Sequence, residues 1–188
     1  MPESLPRKDR RAATAARILE AAQTEFGVHG TRATIRGIAQ RAGVDPSLVL
    51  QHYGSKDNLF TLAVQPVASV SADDVDDHLR TVLDARLLEL PPATRALIRS
   101  MFTSEQAAQL MRKYLQERVE ALAHASGTED AELRATVVVS SILGLTIARH
   151  FIGLPGLDPG ADGSRTPDQV ADVVEPWLAA LLAGTEDA

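Results

Sequence analysis

Residues 34–53 read TIRGIAQRAGVDPSLVLQHY, and the punctuation of this stretch decides the fold. Thr34 stands where a helix N-cap is wanted, ahead of Ile35, Ile38, Ala39 and Ala42 at the spacing of one helix face. Gly43 follows the last periodic residue, where helices commonly close in the left-handed conformation. Asp45 offers a second N-cap, and Pro46 suits a first helical position because its missing N–H would have had no intrahelical partner. The stretch therefore predicts two short helices joined by a tight turn, the second from about Pro46 to Tyr53. Val49, with His52 or Tyr53, faces the first helix. Ser47, Leu48 and Gln51 point outward near the N-terminal half of the second, the part of a helix-turn-helix that meets base edges.

Upstream, an alanine-rich segment from about Arg11 to His29 puts Ile18, Ala22 and Phe26 on one stripe with Leu19 beside it, and Gly30 ends it. Downstream, Ser55 caps a helix carrying Leu59, Phe60, Leu62 and Ala63, which Pro66 must end or kink. Lys56 lies in the first turn of that helix, where its charge opposes the dipole. A phosphate contact accounts for it, and a solvated lysine is the plainer alternative.

The ordered set Ile18-Leu19-Glu20-Ala21-Ala22, Phe26, Gly30, Ile38-Ala39, Ala42-Gly43-Val44, Tyr53-Gly54-Ser55-Lys56, Leu59 and Phe60 resembles the DNA-binding domain of the TetR family of bacterial transcriptional regulators. The likeness spans about residues 11 to 62; the rest carries no motif and follows the family only by length and helicity. It implies an all-α fold of about nine helices, a three-helix helix-turn-helix domain followed by a helical ligand-binding and dimerisation domain. The expected divisions are a mobile basic arm at 1–10, the DNA-binding domain at 11–66 and the effector-binding and dimerisation domain at 67–188. Two residues depart from the common pattern: Leu48, where a threonine or similar polar residue is frequent, and Leu50, where many members carry tyrosine.

The net charge of −6 suits a nucleic-acid binder only after division. Residues 1–66 hold nine Lys or Arg against six Asp or Glu, a balance of +3; residues 67–188 hold ten against nineteen, a balance of −9. A basic segment on an acidic body presents one end to phosphates. Arg7, Lys8, Arg10 and Arg11 add an arm able to reach phosphates or the minor groove, or a tail that only aids solubility. There is no cysteine, hence no disulfide framework, thiolate metal site or cysteine nucleophile. No signal core follows the basic N-terminus and no run of about 18 uninterrupted apolar residues occurs, so a cytoplasmic protein without membrane attachment is expected.

Further along, helices are expected from about Ala72 to Leu90, broken by Pro91-Pro92, from about Ala93 to Phe102, and from Thr103 or Ser104 to about His124. Thr128 starts another, reaching about Ile152, whose later part, VVVSSILGLTIARHFI, is apolar almost all round and must be buried. Thr166-Pro167-Asp168-Gln169 forms a capping box for a last helix, in which Pro176 makes a kink or marks the true beginning. Two adjacent apolar helices predict a four-helix bundle with a twofold partner, against one intramolecular core. Interface candidates are Val138, Ile142, Leu145, Val174, Trp177, Leu178 and Leu181.

For DNA, the candidates are Thr34, Arg36, Pro46, Ser47, Leu48, Gln51, His52, Tyr53 and Lys56. Thr34, Tyr53 and Lys56 would hold phosphates, although Tyr53 also suits a core role. Arg36 could pair with guanine, Gln51 with adenine, and Leu48 could touch a thymine methyl. The resemblance also implies an effector cavity within about 60–150, with Phe60, His78, Met101, Phe102, Met111, Tyr114 and His150 as candidate lining or ordinary core. The partners expected are a palindromic double-stranded operator, a second copy of the chain and an unidentified small molecule; no cofactor is expected. The rival readings are a small-molecule-binding or scaffolding protein that no longer reads DNA, and an enzyme. The only hint of the latter, Asp73, Asp74, Asp76 and Asp77 beside His78, reads more simply as a solvated helix start.

Overall fold

The computed structural model describes residues 7–65, 75–126, 129–157 and 166–184. These residues form nine α-helices and no strand: α1 (Arg7–His29), α2 (Ile35–Ala42), α3 (Pro46–Tyr53), α4 (Lys56–Ala63), α5 (Val75–Leu87), α6 (Pro92–Met101), α7 (Glu105–Ser126), α8 (Ala131–Ile147) and α9 (Pro167–Ala183). A 3-10 turn, Gly30–Arg32, follows α1, and a π-helical turn, Ala148–Ile152, extends α8. The all-α expectation holds. α1 begins four residues earlier than its apolar stripe suggested, so Arg7 to Arg10 are helical rather than part of an arm; residues 1–6 lie outside the described residues.

The compact units do not follow chain order. The first combines Met1–Val67 with Pro91–Met111, and the second Ala68–Leu90 with Arg112–Ala188, so the division falls inside α7. α6 belongs with α1 to α4 because its buried face, Ala93, Thr94, Ala96, Leu97, Ile98 and Ser100, is mostly small and packs on α1. Gly27 lies at this contact, where a β-carbon would stand 3.5 Å from the Pro92 carbonyl oxygen, an ordinary van der Waals distance. Arg99 donates from Nη1 to the Val28 carbonyl at 3.1 Å, near the closing turn of α1. Ile18, Ala22, Phe26, Ile38, Ala39, Val49, Leu59 and Ala63 fill the core of this unit. Phe26 meets Phe60 edge to face, with ring centroids 5.0 Å apart and planes at 83°.

In the second unit, Leu79, Leu83 and Leu87 of α5, Val119 of α7, Ala135, Val138 and Val139 of α8, and Val170, Ala171, Leu178 and Leu182 of α9 make one core. Arg80 joins α5 to α9, donating to Asp84 at 3.2 Å, Asp172 at 2.8 Å and Glu175 at 3.1 Å. These carboxylates, Asp172 first, hold its guanidinium pKa above the ordinary arginine value. The capping box of α9 forms as read: Thr166 Oγ1 accepts from the Gln169 N–H, and the Gln169 side chain accepts from the Thr166 N–H. α9 is helical on both sides of Pro176.

The long apolar helix is covered only in part by its own chain. Residues 131–152 form a stretch of mean hydropathy 1.6 that is long and apolar enough to cross a membrane, yet only 22% of its most apolar window is buried within the chain. Val138, Val139 and Thr146 face inward, whereas Leu133, Val137, Ser140 and Gly144 form an exposed stripe at helical spacing. Thr128 lies outside the described residues, and α8 starts at Ala131 after Asp130, whose φ is +61° and whose side chain makes no capping bond.

Candidate nucleic-acid interface

The α2–turn–α3 unit is built from its caps. Thr34 Oγ1 accepts from the Gly37 N–H at 3.1 Å. Gly43, at φ +65°, closes α2 in the left-handed conformation where a side chain would be strained, and the Val44 N–H returns to the Ala39 carbonyl at 3.0 Å. Asp45 Oδ1 accepts from both the N–H of Ser47 at 2.8 Å and its hydroxyl at 2.6 Å, bonds that hold the Asp45 carboxyl below its ordinary pKa. Val49 is completely buried and ties α3 to the core.

α3 therefore presents Ser47, Leu50 and Gln51 to solvent, with Leu48 and His52 half-buried beside them, while Arg36 and Pro46 are exposed at the starts of α2 and α3. An open groove of about 440 Å³ lies along this helix, lined by Leu48, Gln51 and His52 of α3 and by Arg10, Arg11 and Thr14 of α1. Sequence reading missed Thr14 and treated the two arginines as an arm. The signal was their spacing, since residues 10, 11 and 14 share one helix face.

Three candidate DNA contacts have internal partners. The Tyr53 hydroxyl donates to the Ala15 carbonyl at 2.7 Å, which fastens α3 to α1. Lys56 Nζ donates to the Thr31 carbonyl at 2.5 Å, which explains a cation in the first turn of α4 without a phosphate. The Ser47 hydroxyl is engaged by Asp45. A further link that sequence reading missed is buried Glu25, which accepts from Arg41 Nε of α2 at 2.8 Å and lies 3.7 Å from His29 Nε2. Its only sequence signal was a carboxylate beside the Ile18–Ala22–Phe26 stripe.

The Tyr53 bond gives a test. Burial raises the Tyr53 pKa above 10.0. A group whose folded pKa is raised contributes stability that is complete below the unfolded pKa and lost as pH climbs through the folded one. The wild type is thus expected to lose stability in strongly alkaline solution, above about pH 10, and Tyr53→Phe to lose about 1–2 kcal/mol at neutral pH with a flatter alkaline limb. Denaturant titrations over pH check both, and DNA affinity of the folded variant should stay within a few-fold.

The model for the N-terminal part of bacterial regulatory proteins of the tetR family matches residues 18–63, and the model described as "Tetracyclin repressor-like, C-terminal domain" matches residues 76–182. The chain belongs to the TetR family. It is 33% identical over 103 residues to the HTH-type transcriptional regulatory protein RaaS of Mycobacterium tuberculosis, a match covering 51% of this chain and 49% of that one. It is 31% identical over 84 residues to the HTH-type transcriptional dual regulator CecR of Shigella flexneri, covering 45% and 37%. The matched stretches thus span half or less of these curated relatives. Among solved structures, a TetR-like regulator from Rhodococcus sp. RHA1 shares 23% identity at a TM-score of 0.63 over 97% of this chain and 100% of that one. NalD of Pseudomonas aeruginosa, the secondary repressor of the MexAB-OprM multidrug efflux pump, shares 18% at 0.65 over 95% and 100%. Both show the TetR-type fold.

Within that fold the candidate effector residues are divided between the two units. Phe60 and Met111 are buried, Met101 half-buried and Phe102 71% exposed, all in the first unit. Tyr114 and His150 lie in the second and are brought together by Arg86: its Nη2 donates to the Tyr114 hydroxyl at 2.7 Å, and its carbonyl lies 2.7 Å from His150 Nε2. The Arg118 guanidinium stands 5.1 Å from the Tyr114 ring centre. These are half-buried polar groups in a network rather than a plain apolar lining. The side chain of His78, with the acidic run at 73–77, lies outside the described residues; among those described, no group of three or more His, Asp or Glu could hold a metal ion.

The interface candidates of the TetR-type C-terminal part also divide. Val138 and Leu178 are completely buried in their own chain's core and are not available to a partner. Ile142, Leu145, Val174 and Leu181 are half-buried, and Trp177 is 53% exposed. Val173, at 77% exposed, and Leu133 and Val137 extend the exposed apolar surface and were missed because helical period alone does not say which stripe faces inward.

Proposed function

We propose that this chain is a cytoplasmic, dimeric transcriptional repressor that binds a palindromic operator through α3 and leaves it when a small molecule binds the C-terminal part. The observation that carries the DNA-binding reading is the capped α2–turn–α3 unit, with Arg36 and Gln51 exposed and Leu48 at the groove beside α3. In this reading Arg36 pairs with guanine, Gln51 with adenine, and Leu48 packs on a thymine methyl. Phosphate contacts come from Thr34, from Lys56 through its remaining N–H groups, and from backbone N–H groups at the helix starts.

A second copy covers the stripes left open on α8 and α9, Leu133, Val137, Val173 and Trp177. An exposed apolar patch of this kind marks an interaction site, and two helices from each of two chains make the four-helix bundle. Dimerisation places the two α3 helices about one turn of DNA apart or a modest multiple of it. The effector acts by binding more tightly to a dimer with another α3 spacing, so operator affinity falls by the ratio of its two affinities.

Fluorescence anisotropy with the DNA upstream of the coding sequence and with a scrambled duplex, at two salt concentrations, tests this reading. Tight binding to the first alone, with two protomers per site or a multiple, is expected, and that complex then serves to screen for the effector. Equal weak binding to both duplexes, lost together as salt rises, rejects that operator. If random-sequence selection failed as well, a small-molecule-binding or scaffolding role would be favoured, a reading supported by Leu50 at 45% exposure on the surface of α3.

A further inference from the structure

A phosphodiester oxygen accepts hydrogen bonds and donates none, so the N–H and O–H groups still free along the α3 groove decide what can grip a strand laid in it. That count is short on α3 itself. Gln51 and His52 keep side-chain N–H groups there, but the hydroxyls of Ser47 and Tyr53 are engaged by Asp45 and by the Ala15 carbonyl, Lys56 gives one N–H to Thr31, and Leu48 and Leu50 have no side-chain donor. On the opposite wall stand Arg10 and Arg11, exposed, with five N–H donors apiece. Among the described residues neither guanidinium has a hydrogen-bond or ion-pair partner. Arg10, Arg11 and Thr14 fall within about 100° of helix arc, so both charges face the same groove as Gln51 and His52. Thr14 donates its own hydroxyl to the Arg10 carbonyl at 2.9 Å, which leaves the arginines as the donors of that wall.

We propose that Arg10 and Arg11, carried in the first turns of α1, form the principal phosphate clamp of the interface and hold the DNA backbone against the wall of the α3 groove. The clamp deepens the DNA-binding reading and rests on it. It divides the labour: α1 supplies affinity without sequence, whereas Gln51 and Arg36 supply sequence choice. It also assigns the excess positive charge of residues 1–66 a place beside the reading helix.

The test measures binding to the duplex recovered by wild-type chain from a random-sequence library, and to its scrambled form, between about 0.05 and 0.2 M salt. Each phosphate contact adds about 0.9 to the magnitude of the slope of log affinity against log salt, for each protomer. The double variant Arg10→Ala/Arg11→Ala is expected to lower that magnitude by about 1.8 per protomer and the affinity by roughly 30-fold per protomer at 0.15 M salt. The preference for selected over scrambled duplex should hardly change, because both duplexes have the same backbone. Arg10→Lys/Arg11→Lys should restore most of the slope, and Lys113→Ala, an exposed cation of the second unit, should leave it unaltered. Circular dichroism of the alanine variant should match wild type. A wild-type slope in the alanine variant, or a loss of preference without loss of slope, would overturn the clamp while leaving the regulator intact. Failure of the wild type to enrich any duplex overturns both.

Discussion

Truncation of Phe26 to alanine is expected to remove about 3–5 kcal/mol of stability from the DNA-binding unit. Its ring is completely buried between α1 and α4, where it meets Phe60 edge to face at 5.0 Å. The loss includes the transfer of a large apolar side chain, a cavity that well-packed helices close only in part, and about 1 kcal/mol from the aromatic pair. Domains of this size keep a margin of roughly 5–15 kcal/mol, so operator binding at growth temperature should suffer even though Phe26 touches no base. Urea denaturation followed by far-ultraviolet circular dichroism measures the change. A shift below about 1 kcal/mol, the range of a surface substitution, would mean that the unit does not depend on this contact.

Replacement of Val173 and Trp177 by glutamate is expected to give a folded monomer that has lost operator affinity by about 100-fold or more. Val173 is 77% exposed and Trp177 53% exposed in the single chain, so its fold does not need them, whereas a partner packed on the α8–α9 surface does. Once the chains separate, the second half-site no longer benefits from the effective concentration that joined recognition units share, a benefit of about 10²–10⁴. Sedimentation velocity reports the monomer and anisotropy the affinity. A dimer that survives both charges and binds as before would place the twofold elsewhere.

Legibility followed the chemistry of chain ends. The starts of α2, α3, α4 and α9 could be read because each is set by one local event: Thr34, Asp45, Ser55 and Thr166 each accept a backbone N–H two or three residues on, and the ends of α2 and α3 meet Gly43 and Gly54 at positive φ. What could not be read depends on distant partners. α6 packs on α1 through a mostly small buried face, a long-range match that no periodicity encodes. Arg7 to Arg10 extend α1 without any apolar stripe to announce them. On α8 the apolar residues run almost all round, so nothing in the pattern distinguished Val138, completely buried, from Val137, 39% exposed.

The interface shows the same division. Gln51 and Arg36 are exposed as expected, because outward position on a short capped helix follows from phase. Tyr53 and Lys56 have internal partners, the carbonyls of Ala15 and Thr31, set by how α1 and its closing turn lie against α3 and α4. Polar side chains of one type serve a fold or a ligand equally well, and only their neighbours decide which.

Random-sequence selection with the wild-type chain, followed by sequencing of the retained duplexes, tests the central claim most directly. An inverted repeat is expected whose half-sites are one turn of DNA apart or a modest multiple of it, with one position per half-site relaxed when Gln51→Ala is used instead. Retained sequences indistinguishable from the input pool would contradict it, and would remove DNA reading from the role of α3.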